Sequence, residues 1–457
     1  MRSQAYSIVL ALAASITPCT ALAGGNAGTE PACHVGAYRL ADGEVIDINA
    51  SSVPGVVRWH RVDGRTGSLA RSADGMWRGQ AGWTPLEDPL AVRFGGCGEG
   101  WITFDNRDGT RVALDVTDTR FAAEGVTLRG RLVMPEGGGA APVVVLVHGS
   151  ERYSGVDYYH LQHLFPAKGI GVFVYDKRGT GGSDGKYTQD FDVLAGDAVS
   201  AMSEARRLGG ARVARIGLHG SSQGGWVAPL AATRTPTDFL VVAYGLAESP
   251  AAEDRGQVMQ ELAAAGYGAP ALAAAREVTD ATARVMATRS AVAFADLRDV
   301  RRRHRKAPWW PVMQGEYTGS LLRYPTWVSR LALPWMDKGT PWDHDPMPVL
   351  RAVTAPQMWI IAEHDTEAPP AETLRRLAVL ASEGKPITTV VFPDTEHGIA
   401  EFTTAADGTR TRTRYADGYL SLSMDFIRDG TVEPHGHGRA RVTSAKQRPD
   451  PTFHATR

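Results

Sequence analysis

Short runs that alternate apolar and polar residues dominate the chain from about Gly24 to Asp118. Val45-Ile46-Asp47-Ile48, Val56-Val57-Arg58-Trp59, Trp101-Ile102-Thr103-Phe104 and Val112-Ala113-Leu114 follow this pattern, with Asp-Gly pairs between them at Asp42, Asp63, Asp74 and Asp108. A period of two is that of a half-buried strand, and Asp-Gly favours the tight turn of a hairpin. The pattern predicts a small all-β domain over residues 24–120. It holds no set of acid, base and nucleophile, so its expected role is to pack against or shape a substrate site, with carbohydrate binding as the alternative.

After Phe121 the pattern changes. Continuous apolar runs at Val143 to Val147, Gly171 to Tyr175, Arg215 to His219, Phe239 to Tyr244, Met358 to Ala362 and Thr388 to Phe392 read as strands buried on both faces. Between them, Val193 to Leu208 and Ala371 to Ala381 carry apolar residues at three- and four-residue spacing, as helices lying on a sheet do. Strands alternating with helices predict an α/β domain with a mostly parallel sheet over residues 121–430. More than a hundred residues separate Tyr244 from Met358, too many for a simple crossover, so a helical cap insertion is expected at about 247–345. Its later part concentrates Trp309, Trp310, Trp327, Trp335 and Trp342, which either line an apolar pocket or pack the insertion onto the sheet. The basic run from Arg301 to Lys306 reads as a solvated helix face. Residues 431–457 are polar and rich in proline and charge, and read as a disordered tail in which His435 and His437 lack the rigid support of a metal site.

The formal net charge of -1 offers no footprint for nucleic acid. Arg2, the apolar stretch Ser7 to Ile16 and the Ala21-Leu22-Ala23 pattern predict a signal peptide over residues 1–23, cleaved near Ala23, and so a secreted or periplasmic protein. A lipid anchor at Cys19 is the competing reading, but Pro18 fits poorly before such a site. Beyond this segment no apolar run reaches the roughly 18 residues of a membrane span. Cleavage would leave Cys33 and Cys97, an even count in an oxidising compartment, which favours a disulfide over a metal site.

The strongest chemical signal is Gly220-Ser221-Ser222-Gln223-Gly224, lying between a predicted strand and a predicted helix, Gly225 to Thr233. In that context G-x-S-x-G lifts the central serine out of the sheet on a strained turn, and the helix N-terminus points its partial positive charge at the reacting centre. Ser222 is therefore the expected nucleophile, with Ser221 at the variable position. A serine hydroxyl needs a general base, and that base needs an acceptor to fix its tautomer. His397 follows the run Ile387 to Phe392 and suits the base better than His344 or His364; Asp365, just past the strand ending at Ala362, suits the acid, with Glu363 and Asp394 as alternatives. The oxyanion donors are expected from the N–H of Gln223 and from the loop His148-Gly149-Ser150-Glu151, where Gly149 permits close approach and Ser150 or its neighbour donates.

From Phe121 to Arg428 the chain resembles the serine α/β-hydrolase superfamily, particularly bacterial esterases of the dienelactone-hydrolase and prolyl-oligopeptidase-like branch. Val147-His148-Gly149-Ser150, the segment Tyr175 to Ser183, Ser222 in its elbow, Asp365 and His397-Gly398 carry the resemblance. It implies acyl transfer to water through an acyl-enzyme, without metal or organic cofactor, on a small-molecule ester or short peptide, and a structural role for Asp176, Arg178 and Ser183. Two departures stand out. Ala362 replaces a common glycine, and Glu151 sets a carboxylate beside the oxyanion loop, where it would repel developing charge unless it turned away or paired with a cation. A carboxylic-ester hydrolase is the first expectation, a serine peptidase or amidase the second, and a non-catalytic binding protein on the same fold the third.

Overall fold

The computed structural model describes residues 31–444; the expected signal peptide and the last thirteen residues lie outside them. Strands β1 (Gly36–Leu40), β2 (Val45–Ala50), β3 (Val56–Arg61), β4 (Thr66–Arg71), β5 (Trp77–Arg78), β6 (Val92–Phe94), β7 (Trp101–Phe104) and β8 (Arg107–Arg111) form a closed barrel. β1 and β8 close it antiparallel, with Tyr38 opposite Arg111. Tyr38, Ile46, Ile48, Leu69 and Phe104 fill its interior, as alternate positions of a curved sheet must. Cys33 and Cys97 are joined by a disulfide.

Two details of the barrel differ from the sequence pattern. Asp108-Gly109 lies inside β8, not in a turn; Gly109 is needed because a Cβ there would come within 2.7 Å of Leu40 Cδ2. The β7–β8 turn is made instead by Asp105 and Asn106, both at positive φ, the backbone that a two-residue hairpin demands. Val112 and Ala113 join β8 to the next strand, and are not a strand of their own.

That next strand, β9 (Leu114–Ala123), pairs along its whole length with β10 (Val126–Pro135) and opens the second sheet, so the boundary expected at residue 120 falls inside a strand. After β10 come β11 (Ala141–Val147), helices α1 (Gly155–Tyr158) and α2 (Leu161–Leu164), β12 (Gly171–Tyr175), α3 (Phe191–Gly209), β13 (Val213–Ser221), α4 (Gly224–Ala232) and β14 (Leu240–Ala243). Five helices form the insertion that follows β14: α5 (Pro250–Ala264), α6 (Ala269–Thr288), α7 (Ala291–His304), α8 (Thr318–Arg323) and α9 (Thr326–Met336). The chain continues through α10 (Met347–Ala352), β15 (Gln357–Ala362), α11 (Pro370–Ser382), β16 (Ile387–Phe392), the small sheet of β17 (Thr395–Glu396), β18 (Ala400–Thr404) and β19 (Arg410–Tyr415), then α12 (Tyr419–Asp429) and β20 (Arg441–Ser444).

The large sheet has the order β20-β16-β15-β14-β13-β11-β12-β10-β9 and is parallel from β12 through β16. Val143, Val145 and Val147 face the layer of α3 and α4, while Val144 and Leu146 face that of α12. This two-sided burial is why the strand reads as an unbroken apolar run. β20 pairs antiparallel with β16. Residues 431–444 are thus ordered where the composition predicted disorder, because an edge strand bonds through its own backbone and a few small apolar residues, Val432, Ala440 and Val442, suffice to pack the segment.

The five-helix insertion has its own core, built by residues such as Val278, Phe294, Leu297 and Trp309. Trp327 and Trp335 point outward, 70% and 79% exposed. The barrel is fastened to the α/β part by buried Asp47, which bonds His60 of the barrel at 2.9 Å and His163 of α2 at 3.0 Å. Among the described residues no helix is long and apolar enough to cross a membrane.

Candidate active site

Ser222 sits between β13 and α4 with φ at 52°, the strained turn expected of the elbow. The flanking glycines are required by packing: a Cβ on Gly220 would lie 2.3 Å from the Gly224 carbonyl oxygen, and one on Gly224 2.5 Å from that of Val147. The turn is held by the Ser222 N–H, which donates to the Ala243 carbonyl of neighbouring β14 at 3.0 Å.

His397 lies in the loop between β17 and β18 and brings Nε2 to 3.1 Å from Ser222 Oγ. Its Nδ1 is 2.9 Å from Asp365 Oδ2 and 3.2 Å from Oδ1. Asp365, on the loop after β15, is 1% exposed. Its Oδ1 also accepts the N–H groups of Glu367 at 2.9 Å and Ala368 at 2.7 Å, so the carboxylate is fixed before it meets the imidazole. Burial alone would lower the histidine's pKa, but the Asp365 hydrogen bond and charge, with Glu367, outweigh it and raise the group above its ordinary value. Tyr244 packs edge-on against the ring at 4.9 Å between centroids. The alternative acids lie apart from this relay, since Glu363 and Asp394 pair with Arg441 and Arg439.

On the other side of Ser222 stands the loop His148 to Glu151. The Gly149 carbonyl accepts a bond from Lys177 Nζ, and Tyr187 Oη donates to the Ser150 carbonyl at 2.6 Å; with both carbonyls engaged, the loop is pinned from behind. Burial pulls Lys177 down to about 8, against the opposing attraction of Glu151. Glu151 itself accepts from Tyr159 Oη. Its Oε2 would lie 2.6 Å from a Cβ placed on Gly149, so the carboxylate folds back over the loop instead of turning away. Asp176, fully buried, receives Ser154 Oγ, the Val156 N–H and the Gly182 N–H, while Arg178 pairs with Asp197; all of these contacts brace loops.

Two stretches of the chain match family models. Residues 139–309 match the serine aminopeptidase family S33 and residues 311–423 the prolyl oligopeptidase family. The chain is a serine α/β-hydrolase of the prolyl-oligopeptidase-like branch. Among solved structures the hydrolase is similar to the Pyrococcus horikoshii acylaminoacyl peptidase at 16% identity and a TM-score of 0.42, over 85% of this chain and 57% of that one. It is similar to the Pyrococcus furiosus esterase Pf2001 at 17% identity and a TM-score of 0.40, over 62% of this chain and 84% of that one. A proline iminopeptidase of Mycobacterium smegmatis follows at 20% identity and 0.37, over 62% and 91%. Among curated proteins none matches.

A cavity of about 610 Å³ opens onto Ser222 and His397 of the hydrolase. Its wall comes from both parts of the chain: Asn49 to Ser52, Arg58, His60 and Trp83 of the barrel, and Tyr153, Tyr159, Tyr244, Arg412 and Tyr415 of the α/β part. None of the insertion's tryptophans lines it. Sequence reasoning expected the β domain to pack against or shape a substrate site but did not single out Tyr244, Glu367 or the barrel residues that line the cavity. Tyr244 could have been suspected from its place one residue past a central strand; the barrel residues carry no such signal.

Proposed function

We propose that the hydrolase cleaves carboxylic esters, with Ser222 as nucleophile, His397 as general base and Asp365 as the acid that orients the base. The unbroken relay from Asp365 through His397 to Ser222, at hydrogen-bonding distance throughout, is the observation that carries this reading. Ser222 Oγ attacks the ester carbonyl as its proton passes to His397 Nε2, and the imidazolium is stabilised by Asp365. The carbonyl electron pair becomes an oxyanion, received by the N–H of Gln223 and by that of Ser150, with Gly149 leaving room. Collapse expels the alcohol, which takes the proton from Nε2. A water then repeats the sequence on the acyl-enzyme and releases the acid.

In this reading the insertion over residues 247–345 is a cap that braces the acid loop. Gln257 Nε2 on α5 donates to the Glu367 carbonyl at 2.6 Å and Gln260 Nε2 to that of Asp365 at 3.3 Å, which supports that role. Export to the periplasm or medium is part of the same proposal, supported by the Cys33–Cys97 disulfide.

A peptidase or amidase reading also has an observation behind it. Glu367 Oε2 lies 3.7 Å from His397 Nε2. Burial, then repulsion from neighbouring acids, raises both Glu316 and Glu253; Glu316 also feels the His397 charge, and Asp365 is among the acids acting on Glu253. Of these acids Glu367 lines the cavity, and a substrate ammonium would meet its carboxylate there. Hydrolysis of short- and long-chain p-nitrophenyl esters by the wild type and Ser222→Ala, beside aminoacyl p-nitroanilides with free and blocked amines, separates the readings. Ester turnover lost in a folded Ser222→Ala protein supports the esterase; turnover confined to free-amine anilides supports the peptidase; ester turnover unchanged in Ser222→Ala removes the nucleophile.

A further inference from the structure

Arg58, on barrel strand β3, lines the catalytic cavity and has no carboxylate within ion-pairing distance among the described residues. The cavity's other arginine, Arg412, is neutralised by Glu396 at 2.7 Å and Glu367 at 3.1 Å. Arg58 is held by neutral groups only: Nη2 donates to the Gly82 carbonyl at 2.9 Å and reaches Thr66 Oγ1 at 3.4 Å, and the guanidinium lies over the Trp83 ring at 5.1 Å. Its Nε is buried without a partner, as are Asn49 Oδ1 and His160 Nε2 of the same wall. Burial pulls the guanidinium below its ordinary value, with only Tyr415 opposing. Arg58 in turn helps to hold His60 and His160 neutral, after burial, which acts most strongly on both.

Uncompensated charge in a protein interior is costly, and guanidinium is the side chain best suited to receive a carboxylate. The bonds from Nη2 and the Trp83 stack fix the group in place, so it is preorganised without being satisfied. We propose that Arg58 binds a carboxylate on the substrate, so that the preferred esters carry an anionic group on the part that lies against the barrel while the ester bond lies at Ser222. The inference rests on the acyl-transfer reading above and adds the substrate class to it.

The test compares mono-4-nitrophenyl adipate and suberate with the matched neutral hexanoate and octanoate, in the wild type, Arg58→Gln and Arg58→Lys. The quantity read is the ratio of kcat/KM for acidic over neutral ester. That ratio should exceed one in the wild type, fall by about tenfold or more in Arg58→Gln through KM, and recover in large part in Arg58→Lys. A ratio unchanged in Arg58→Gln, or equally low in both variants, would overturn the proposal. A second arm needs no turnover: calorimetric titration of free adipate and suberate into Ser222→Ala, alone and combined with Arg58→Gln. Binding that disappears with Arg58 supports the anchor, whereas no binding, or binding indifferent to residue 58, overturns it. If no ester is hydrolysed, the esterase reading has failed and calorimetry still decides the role of Arg58.

Discussion

Replacing Asp365 by asparagine tests the relay more sharply than deleting any member of it. Oδ1 is committed to the Glu367 and Ala368 N–H groups at 2.9 and 2.7 Å, and the residue is 1% exposed. The asparagine oxygen must therefore stay on that side, because the opposite flip would bury amide donors against amide donors, at about 1–3 kcal/mol for each group left unpaired. The NH2 then faces His397 Nδ1, where the carboxylate stood at 2.9 Å. Donor would meet donor unless the imidazole moves its proton to Nε2, and in that tautomer it cannot take the proton of Ser222 Oγ at 3.1 Å. The expected loss in kcat is about 10⁴-fold, or about 5.5 kcal/mol of transition-state stabilisation. The fold should lose no more than about 1–2 kcal/mol, since both backbone bonds persist.

The pH profile gives an independent reading of the same substitution. Activity requires neutral His397, so wild-type kcat/KM should rise with pH along an acid limb set above the ordinary histidine value of 6.5, because Asp365 and Glu367 hold the proton more strongly than burial expels it. In Asp365→Asn the largest upward pull is gone and burial remains, so the limb should move to lower pH. The assay is p-nitrophenyl ester turnover across the pH range, with thermal unfolding as the control. A loss below about tenfold with the limb unmoved would refute the assignment of Asp365.

Gly149→Ala should lower kcat by about 10²-fold with little change in Tm, since the added Cβ meets Glu151 Oε2 at 2.6 Å beside the expected oxyanion donors; an unchanged rate in p-nitrophenyl ester assays would clear this loop of that role. Joint Cys33→Ser and Cys97→Ser should cost about 4 kcal/mol in the chain-entropy treatment of a bridge spanning 64 positions, read as a lower urea midpoint for the barrel's near-ultraviolet signal. Deleting residues 439–457 removes β20 and the Arg439–Asp394 and Arg441–Glu363 pairs; a fall in Tm and concentration-dependent association through the bared β16 edge are expected, and a monomer of unchanged Tm in sedimentation would contradict this.

The α/β half of the molecule was legible because its strand ends tie residue types to local structure. Parallel strands buried on both faces announce themselves as apolar runs, and Ser222, Asp365 and His397 each follow such a run, so strand ends and residue types together select them. The barrel was legible as strands but not as a closed wall, because closure pairs Tyr38 with Arg111 across most of the domain and no local pattern encodes that register. The turn at Asp105-Asn106 was hidden by the stronger Asp-Gly signal two residues later. β20 escaped notice because an edge strand needs little hydrophobicity. Arg58 looks like any polar position of an alternating strand; that no carboxylate pairs with it among the described residues is visible only once the structure is assembled.

The shared cavity wall makes selectivity separable from chemistry in this chain. Asn49 to Ser52 and Trp83 touch the space where substrate would lie, yet they belong to the strands and loops of a separately closed barrel that contributes nothing to the bonds among Ser222, His397 and Asp365. Changes in the barrel's surface can therefore redirect what is admitted while the relay keeps its geometry. The converse does not hold: substitutions around Ser222 must satisfy both the turn and the sheet beneath it. Variation in what this hydrolase accepts can accumulate at Asn49 to Ser52, Arg58 and Trp83 without touching Ser222, Asp365 or His397.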